Sequence, residues 1–417
     1  MALSKKPVTG MKDILPAEMQ VRDYVIGLIK ETYQKFGFSS METPCMEHIE
    51  NLTNKQGGDN EKLIFKILKR GEKLKLEEAK AEADVVDGGL RYDLTVPLSR
   101  YFANNGKDLP VPFKALQMGN VWRADRPQRG RFRQFMQCDI DILGEPSNLA
   151  EIELILATST LLGKLEFKNF TIRINDRRIL KAMAAYSGFE EADYDDIFII
   201  LDKMDKIGLD GVEAELLEKG YAKESVDKYL VMFKNVDNTA NGVADLKEKL
   251  EGFLDSDVAD GLSMIMECVD SAKEAQFKVS FDPTLVRGMS YYTGTIFEIS
   301  MDEFGGSVGG GGRYDKMIGK FTGQDTCACG FSIGFERIVM LLMERGFKVP
   351  TGGSKIAILL EKNLPKEKMM EVLEEAKSLR HEGKQVQLNV MKKNKKFQKE
   401  QLVAEGYEEI REVFARQ

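Results

Sequence analysis

The sequence predicts an α+β protein: paired strands flanked by helices, interrupted by a helical insertion and followed by a small C-terminal α/β unit. Three observations predict it. Two strand-like runs, FKALQMGNVW and FMQCDIDILG, bracket a short arginine-rich loop, which is the pattern of a hairpin. Residues 176–275 contain no proline, are rich in Lys, Glu, Asp, Leu and Ala, and are punctuated by Gly188, Gly208, Gly220 and Gly242, so they read as helix rather than sheet. Beyond the linker KVPTGGSK, strand-like and helix-like segments alternate through residues 354–417.

Along the chain, residues 18–37 repeat Val21, Tyr24, Val25, Leu28, Ile29 and Tyr33 at helical spacing, with Gly37 as the stop. FSSMETPCMEH then reads as an extended strand entering the core, and the charged stretch from Lys66 to Leu98 as a mobile hairpin running into an apolar segment after Gly89. An amphipathic helix ends the stretch 91–105. Strand and glycine signals return from Phe277 to Gly312, and a helix follows from Ile333 to Glu344. In the tail the expected order is strand KIAILL, helix 365–382, strand QVQLNV, helix 395–404 and strand EEIREVF.

Composition bounds the function. A chain of 417 residues implies two or three domains. No apolar run is long enough to span a bilayer, the N-terminus lacks the apolar core of a signal peptide, and five scattered cysteines fit free thiols in a reducing cytosol. The expectation is a cytoplasmic protein with no membrane contact. Cys327 and Cys329 have no second pair to complete a zinc site, so no metal site is expected. With only His48 and His381 available, neither near an obvious nucleophile, Ser/His/Asp catalysis is set aside. A net charge of −7 confines any nucleic-acid contact to local patches.

The most informative local patch is VWRADRPQRGRFR, where Arg123, Arg126, Arg129, Arg131 and Arg133 are opposed by Asp125 alone. Guanidinium forks bind phosphate oxygens bidentately at any physiological pH. A solvated basic loop is the plain alternative. Phe135, Gln137 and Asp141 argue against it, because alternate strand positions put a ring, an amide and a carboxylate on one sheet face. RYDLTVPL, read as a strand, places Asp93 and Thr95 on one face, where an acid and a hydroxyl can hold an ammonium group. LVRGMSYYTGTIFEI adds Arg287, a freeing glycine at 288, Tyr291 and Tyr292. SVGGGGRYD reads as a four-glycine bend followed by Tyr314, and GFSIGFERIVMLL puts Arg337 at a helix start after Gly334. Tyr291 and Tyr292 also fit a role as core aromatics.

These segments, in this order, resemble the histidyl-tRNA synthetases, a class II aminoacyl-tRNA synthetase family. VTGMKDILP resembles its N-terminal signature, residues 18–48 its dimer-forming motif 1, VWRADRPQRGRFRQF motif 2 and GFSIGFERIVMLL motif 3. RYDLTVP, LVRGMSYYTGTIFE and GGRYD resemble the histidine-specific elements. The resemblance covers residues 7–345 and, less well, the tail. It implies a six- or seven-stranded antiparallel sheet flanked by helices, a homodimer, ATP with its Mg²⁺, and L-histidine and tRNA(His) as substrates. It implies a catalytic domain in two parts, 1–175 and 276–346, around the helical insertion 176–275, and a short anticodon-binding-like domain at 354–417.

By the same resemblance, Arg123 holds the α-phosphate, Arg131 and Arg337 the β/γ end, Phe135 stacks on adenine with Arg337 over its other face, and Asp125 faces the adenine amino group. Arg287 brings positive charge to the α-phosphate, so Arg123, Arg287 and Arg337 are the catalytic set. Asp93 and Thr95 take the histidine ammonium, Gln137 its carboxylate side, and Asp141, Tyr292 and Tyr314 its imidazole, with Tyr291 beside them. Arg126 and Gln128 reach the tRNA acceptor end, whose extra 5′ guanosine is the family's identity element, and the insertion clamps the acceptor stem. The chain departs from the family at Asp125 (usually glutamate), at Ser290 (commonly aspartate), in the glycine run (usually Ala-Gly-Gly) and in a tail that reads as short, which implies weakened or absent anticodon readout. A second reading is the synthetase-like regulatory subunit of ATP phosphoribosyltransferase, which keeps the fold and a histidine pocket without aminoacylation. The intact arginines and the RPQRGRF loop favour the synthetase. A synthetase for another amino acid requires something other than LVRGMSYYTG.

Overall fold

The computed structural model describes residues 3–53, 60–287, 291–350 and 354–415. The chain divides into two compact units, residues 1–14 with 22–345, and residues 15–21 with 346–417. The strands are β1 (Ser39–Met41), β2 (Met46–His48), β3 (Lys66–Leu68), β4 (Val86–Leu90), β5 (Phe113–Trp122), β6 (Gln134–Leu143), β7 (Phe170–Asp176), β8 (Phe277–Phe281), β9 (Thr295–Met301), β10 (Gly306–Arg313), β11 (Ala328–Ile333), β12 (Lys355–Leu360), β13 (Gln385–Val390) and β14 (Glu409–Val413).

The first unit is built on an eight-stranded sheet in the order β1-β5-β6-β11-β10-β9-β7-β8. The six strands from β5 to β7 are antiparallel, and β1 and β8 add parallel strands at the two edges. The arginine loop closes the expected hairpin, with β5 and β6 paired from Phe113 opposite Leu143 to Trp122 opposite Gln134. Cys138, Ile140 and Ile142 alternate into the core, while Phe135, Gln137, Asp139 and Asp141 take the opposite face and line a cavity. Helix Leu149–Lys164 packs behind β6 and β11 and fully buries Leu154, Ile155, Leu161 and Leu162. Each such side chain contributes about 1.5–3 kcal/mol of burial. Its Glu151 takes Arg313 of β10 in a buried two-pronged ion pair, with contacts of 2.6 and 2.7 Å.

Helix Pro16–Lys35 buries Val21, Val25, Ile29 and Tyr33, one per turn. Gly37, with φ of 83°, ends it as expected, and the Phe38 N–H donates to the Tyr33 carbonyl at 3.1 Å. Between β7 and β8 the chain is helical, from Arg177–Tyr186 to Ser256–Ala272, and Gly208, with φ of 68°, breaks the segment Met204–Glu218. β3 and β4 form the expected charged hairpin, in a small sheet of order β2-β4-β3.

Three expectations are corrected. FSSMETPCMEH is not one strand entering the core. It makes two short strands, β1 and β2, in different sheets, each with at most one buried residue, on either side of Pro44, which has no N–H to pair. Asp93 and Thr95 do not share a strand face, because Thr95 opens helix Thr95–Asn105 and Asp93 lies in the turn before it. Pro97 sits in that first turn, where its missing N–H is tolerated. The four glycines make no bend: Gly309 to Gly312 lie within strand β10, paired on both sides.

The second unit has β12 at its centre, with β13 and β14 parallel on either side. Ile356, Ile358 and Leu360 pack with Val372 and Leu379 of helix Lys366–His381, while Ala357 and Leu359 pack with Leu402 of helix Lys395–Ala404. Alternate residues of one strand, buried after Lys355, thus serve two helical layers, which is why Ile356 to Leu360 carry no polar position.

Candidate active site

The sheet face of the first unit carries a cavity of about 640 Å³. It is lined by every candidate site residue except Arg126, which stands exposed in the hairpin loop. Positive and negative groups divide the cavity between them.

At one end stand the arginines. The Arg123 guanidinium lies 4.3 Å from the Tyr92 ring centre and 5.2 Å from that of Phe135, and its Nε donates to the Tyr92 carbonyl at 3.0 Å. Arg131 faces Asp125 at 3.7 Å. A tight turn from Gln128 to Arg131, with main-chain bonds of 3.2 and 2.9 Å and Gly130 at φ 69°, points this part of the loop at the cavity. Arg337 rests on the Phe304 ring at 4.9 Å and donates to the Ser307 carbonyl. Burial, and then the nearby charges of Arg131, Arg287 and Arg123, push the Arg337 guanidinium below its usual pKa, so four cations converge here. Such a group is built for a polyanion.

Helix Phe335–Glu344 is set in place by a contact the sequence did not reveal. Arg22 donates to both Glu336 oxygens, at 2.6 and 2.9 Å, and Glu336 also accepts the Met136 N–H at 3.1 Å. Helix Pro16–Lys35, strand β6 and the helix bearing Arg337 therefore meet at one buried carboxylate.

At the other end are carboxylates and phenols. Tyr314 donates to Asp141 at 2.5 Å. Burial raises the Asp141 carboxyl to about 7 against the opposing effect of that hydrogen bond. Asp93 accepts the Val96 N–H at 3.1 Å, capping the helix it precedes, and burial raises its carboxyl too. Arg91 fixes this turn by donating to the Thr43 and Asn120 carbonyls at 2.7 and 2.8 Å, across Gly119, where any Cβ would stand 2.1 Å from its guanidinium. The ring centres of Tyr291 and Tyr292 are 4.7 Å apart, and Tyr314 meets Tyr291 edge-on at 6.1 Å. Tyr291 and Tyr292 also pack against the buried cluster that contains Leu98 and Phe113, so they serve core and cavity together.

Arg287 joins the two ends. It donates to Glu298 at 2.9 Å and holds a left-handed backbone, φ 56°, a strained state for a non-glycine residue. The glycines of β10 make room for it: a Cβ on Gly310 would lie 2.4 Å from the Arg287 guanidinium. Gly288 and Ser290, the freeing glycine and the departure from aspartate, lie outside the described residues.

The sequence reading missed Asp139, Lys206, Glu298, Phe304, Ser332 and Glu336, all on the cavity wall. Asp139 was within its grasp, since it stands midway between Gln137 and Asp141 on the same alternation. Lys206 comes from the helical insertion, where no local pattern marks it.

An antiparallel sheet with an arginine hairpin beside it, and an arginine on the helix leaving β11, is the arrangement that the resemblance to class II aminoacyl-tRNA synthetases implied. The sequence profile of the histidyl-tRNA synthetases matches residues 10–338. A histidine–tRNA ligase of Leifsonia xyli is 42% identical over 98% of this chain and 95% of its own length, and one from Christiangramia forsetii is 37% identical over 90% of this chain and 84% of its own. The chain belongs to the histidyl-tRNA synthetase family. Among solved structures, a histidyl-tRNA synthetase from a Nostoc species superposes with a TM-score of 0.78 at 26% identity, over 97% of this chain and 90% of that one. A Bacillus halodurans protein described as an ATP phosphoribosyltransferase regulatory subunit/histidyl-tRNA synthetase gives the same TM-score at 21% identity, over 99% of each chain, a likeness of fold alone.

Proposed function

We propose that the chain is a histidine–tRNA ligase: it activates L-histidine with ATP and passes the acyl group to tRNA(His). The observation that carries this reading is the division of one cavity into four converging arginines and a buried acid–phenol pair, Asp141 with Tyr314. A histidine carboxylate oxygen bonds to the ATP α-phosphorus as the bond to the β-phosphate bridge breaks, giving histidyl-adenylate and pyrophosphate. No protein group need exchange a proton in this step. Catalysis is positioning and stabilisation of charge on the α-phosphate, which fits fixed guanidinium groups.

In this reading Arg123 and Arg287 take the α-phosphate, and Arg131 and Arg337 the β/γ end. Phe135 stacks on adenine, and Asp125, paired to Arg131, faces the adenine amino group. Adenine binding also requires Arg337 to leave Phe304 if it is to cover the base. Asp93 and Thr95 take the ammonium and Gln137 the carboxylate side. Asp141, Tyr292 and Tyr314 read the imidazole, whose donor and acceptor nitrogens need such partners, with Tyr291 at their side. Mg²⁺ accompanies ATP as counter-ion. Among the described residues no three His, Cys, Asp or Glu side chains are gathered to hold a metal, so no step is assigned to a resident one.

Arg126 and Gln128, exposed at the loop tip, are placed for the incoming acceptor end. A homodimer is part of the proposal, formed through residues 18–48. No helix among the described residues is long and apolar enough to cross a membrane, and we place the activity in the cytoplasm. The regulatory-subunit alternative does not require phosphate-binding arginines, yet Arg123, Arg131, Arg287 and Arg337 all line the cavity. Aminoacylation with labelled histidine, on total tRNA and on purified tRNA(His), tests the proposal. Charging of tRNA(His) supports it, and histidine binding without charging points to the regulatory role.

A further inference from the structure

Asp139 is 4% exposed and lines the cavity between Gln137 and Asp141 on β6. In the sheet it stands between Gln117 of β5 and Ser332 of β11. Its Oδ2 accepts a long hydrogen bond from Gln137 Nε2, 3.4 Å, and its Oδ1 has no partner. A buried carboxylate oxygen left without a partner is costly unless something else fills the role. The other acids of this end are already engaged: Asp141 by the Tyr314 hydroxyl and Asp93 by the Val96 N–H. Burial and the nearby Asp141 charge drive the Asp139 carboxyl well above the ordinary range, against the opposing effects of Ser332 and Arg123.

Accepting the functional reading above, we propose that Asp139 binds the α-ammonium of the amino-acid substrate through its free Oδ1, with Asp93 and Thr95 beside it. The acid that reads the side chain (Asp141) and the acid that neutralises the ammonium (Asp139) are thus two residues apart on one strand. Gln137 Nε2, of the amide assigned to the carboxylate side, is shared between Asp139 at 3.4 Å and the Ser332 hydroxyl at 3.3 Å. An uncharged substitute leaves the imidazole contacts intact and loses the ammonium.

The test separates these two groups by ligand. Histidinol keeps imidazole and ammonium, and 3-(imidazol-4-yl)propanol keeps only the imidazole. Calorimetry measures both on the full-length protein without turnover, and pyrophosphate exchange supplies KM for histidine and ATP. Asp139→Asn should weaken histidinol and raise KM for histidine by ~10-fold or more, while imidazolylpropanol binding and KM for ATP stay within about 3-fold. Asp141→Asn should instead weaken both ligands. If Asp139→Asn fails to fold, Asp139→Ser carries the same comparison, with thermal unfolding as the check. Parallel weakening of the two ligands, or unchanged histidinol binding, overturns the assignment. Failure of the functional reading looks different: a wild-type protein that binds histidinol and catalyses no histidine-dependent exchange.

Discussion

Arg287 combines a strained backbone, a carboxylate partner and a place between the two ends of the cavity. In the proposed reading that place is at the α-phosphate, so Arg287→Ala should lower kcat for histidine-dependent pyrophosphate exchange by ~10²-fold or more. Exchange within a few-fold of wild type would remove Arg287 from the catalytic set. Asp141 makes a second prediction, in which function and stability oppose each other. Its carboxyl is raised to about 7, so the folded state holds a proton that the unfolded chain releases near 3.8. The folded protein therefore loses stability as pH rises between those values, by at most about 4 kcal/mol from this group. Asp141→Asn should unfold at higher temperature than wild type at pH 8, lose that advantage near pH 4, and bind histidine more weakly. A variant less stable at pH 8 contradicts the assignment. Part of the cavity was legible in the sequence through strand alternation: Phe135, Gln137 and Asp141 follow from period two alone. Arg22, Lys206 and Phe304 were not, because each arrives from a distant segment whose local pattern describes only its own helix or turn.

Elements were legible where side chains carry a period. Helix Pro16–Lys35 and the strands of the hairpin follow directly from their apolar spacing. Gly309 to Gly312 have no side chains to show a period, and so a central strand read as a bend. RYDLTVPL alternates like a strand, but its capping Asp93 and its early Pro97 are the signals of a helix start, and those prevailed. The glycines of neighbouring strands set how close the site residues lie. Gly330 faces Asp141 across β11 and β6, where a Cβ would come within 2.0 Å of Asp141 Oδ1 and 3.2 Å of the Tyr314 ring. Gly330→Ala should push the acid–phenol pair apart and raise KM for histidine by ~10-fold or more, with little change in KM for ATP. Equal changes in both constants would show a general distortion of the sheet.

Over the whole molecule, the chain must recognise two small substrates and a tRNA on a protein that is acidic overall. Arg126 is exposed and stands outside the cavity, and in the proposed reading it meets RNA. Arg126→Ala should weaken charging of an acceptor-stem minihelix several-fold and leave pyrophosphate exchange, which involves no RNA, unchanged. Loss of exchange would place Arg126 in the nucleotide site instead. The central claim is that one cavity joins histidine to ATP. Pyrophosphate exchange with each of the twenty amino acids, supplied singly with ATP and Mg²⁺, tests it most directly. The account predicts exchange with histidine alone, and near-background rates for the nineteen others. Exchange driven as well by another amino acid, or none with histidine, would contradict it.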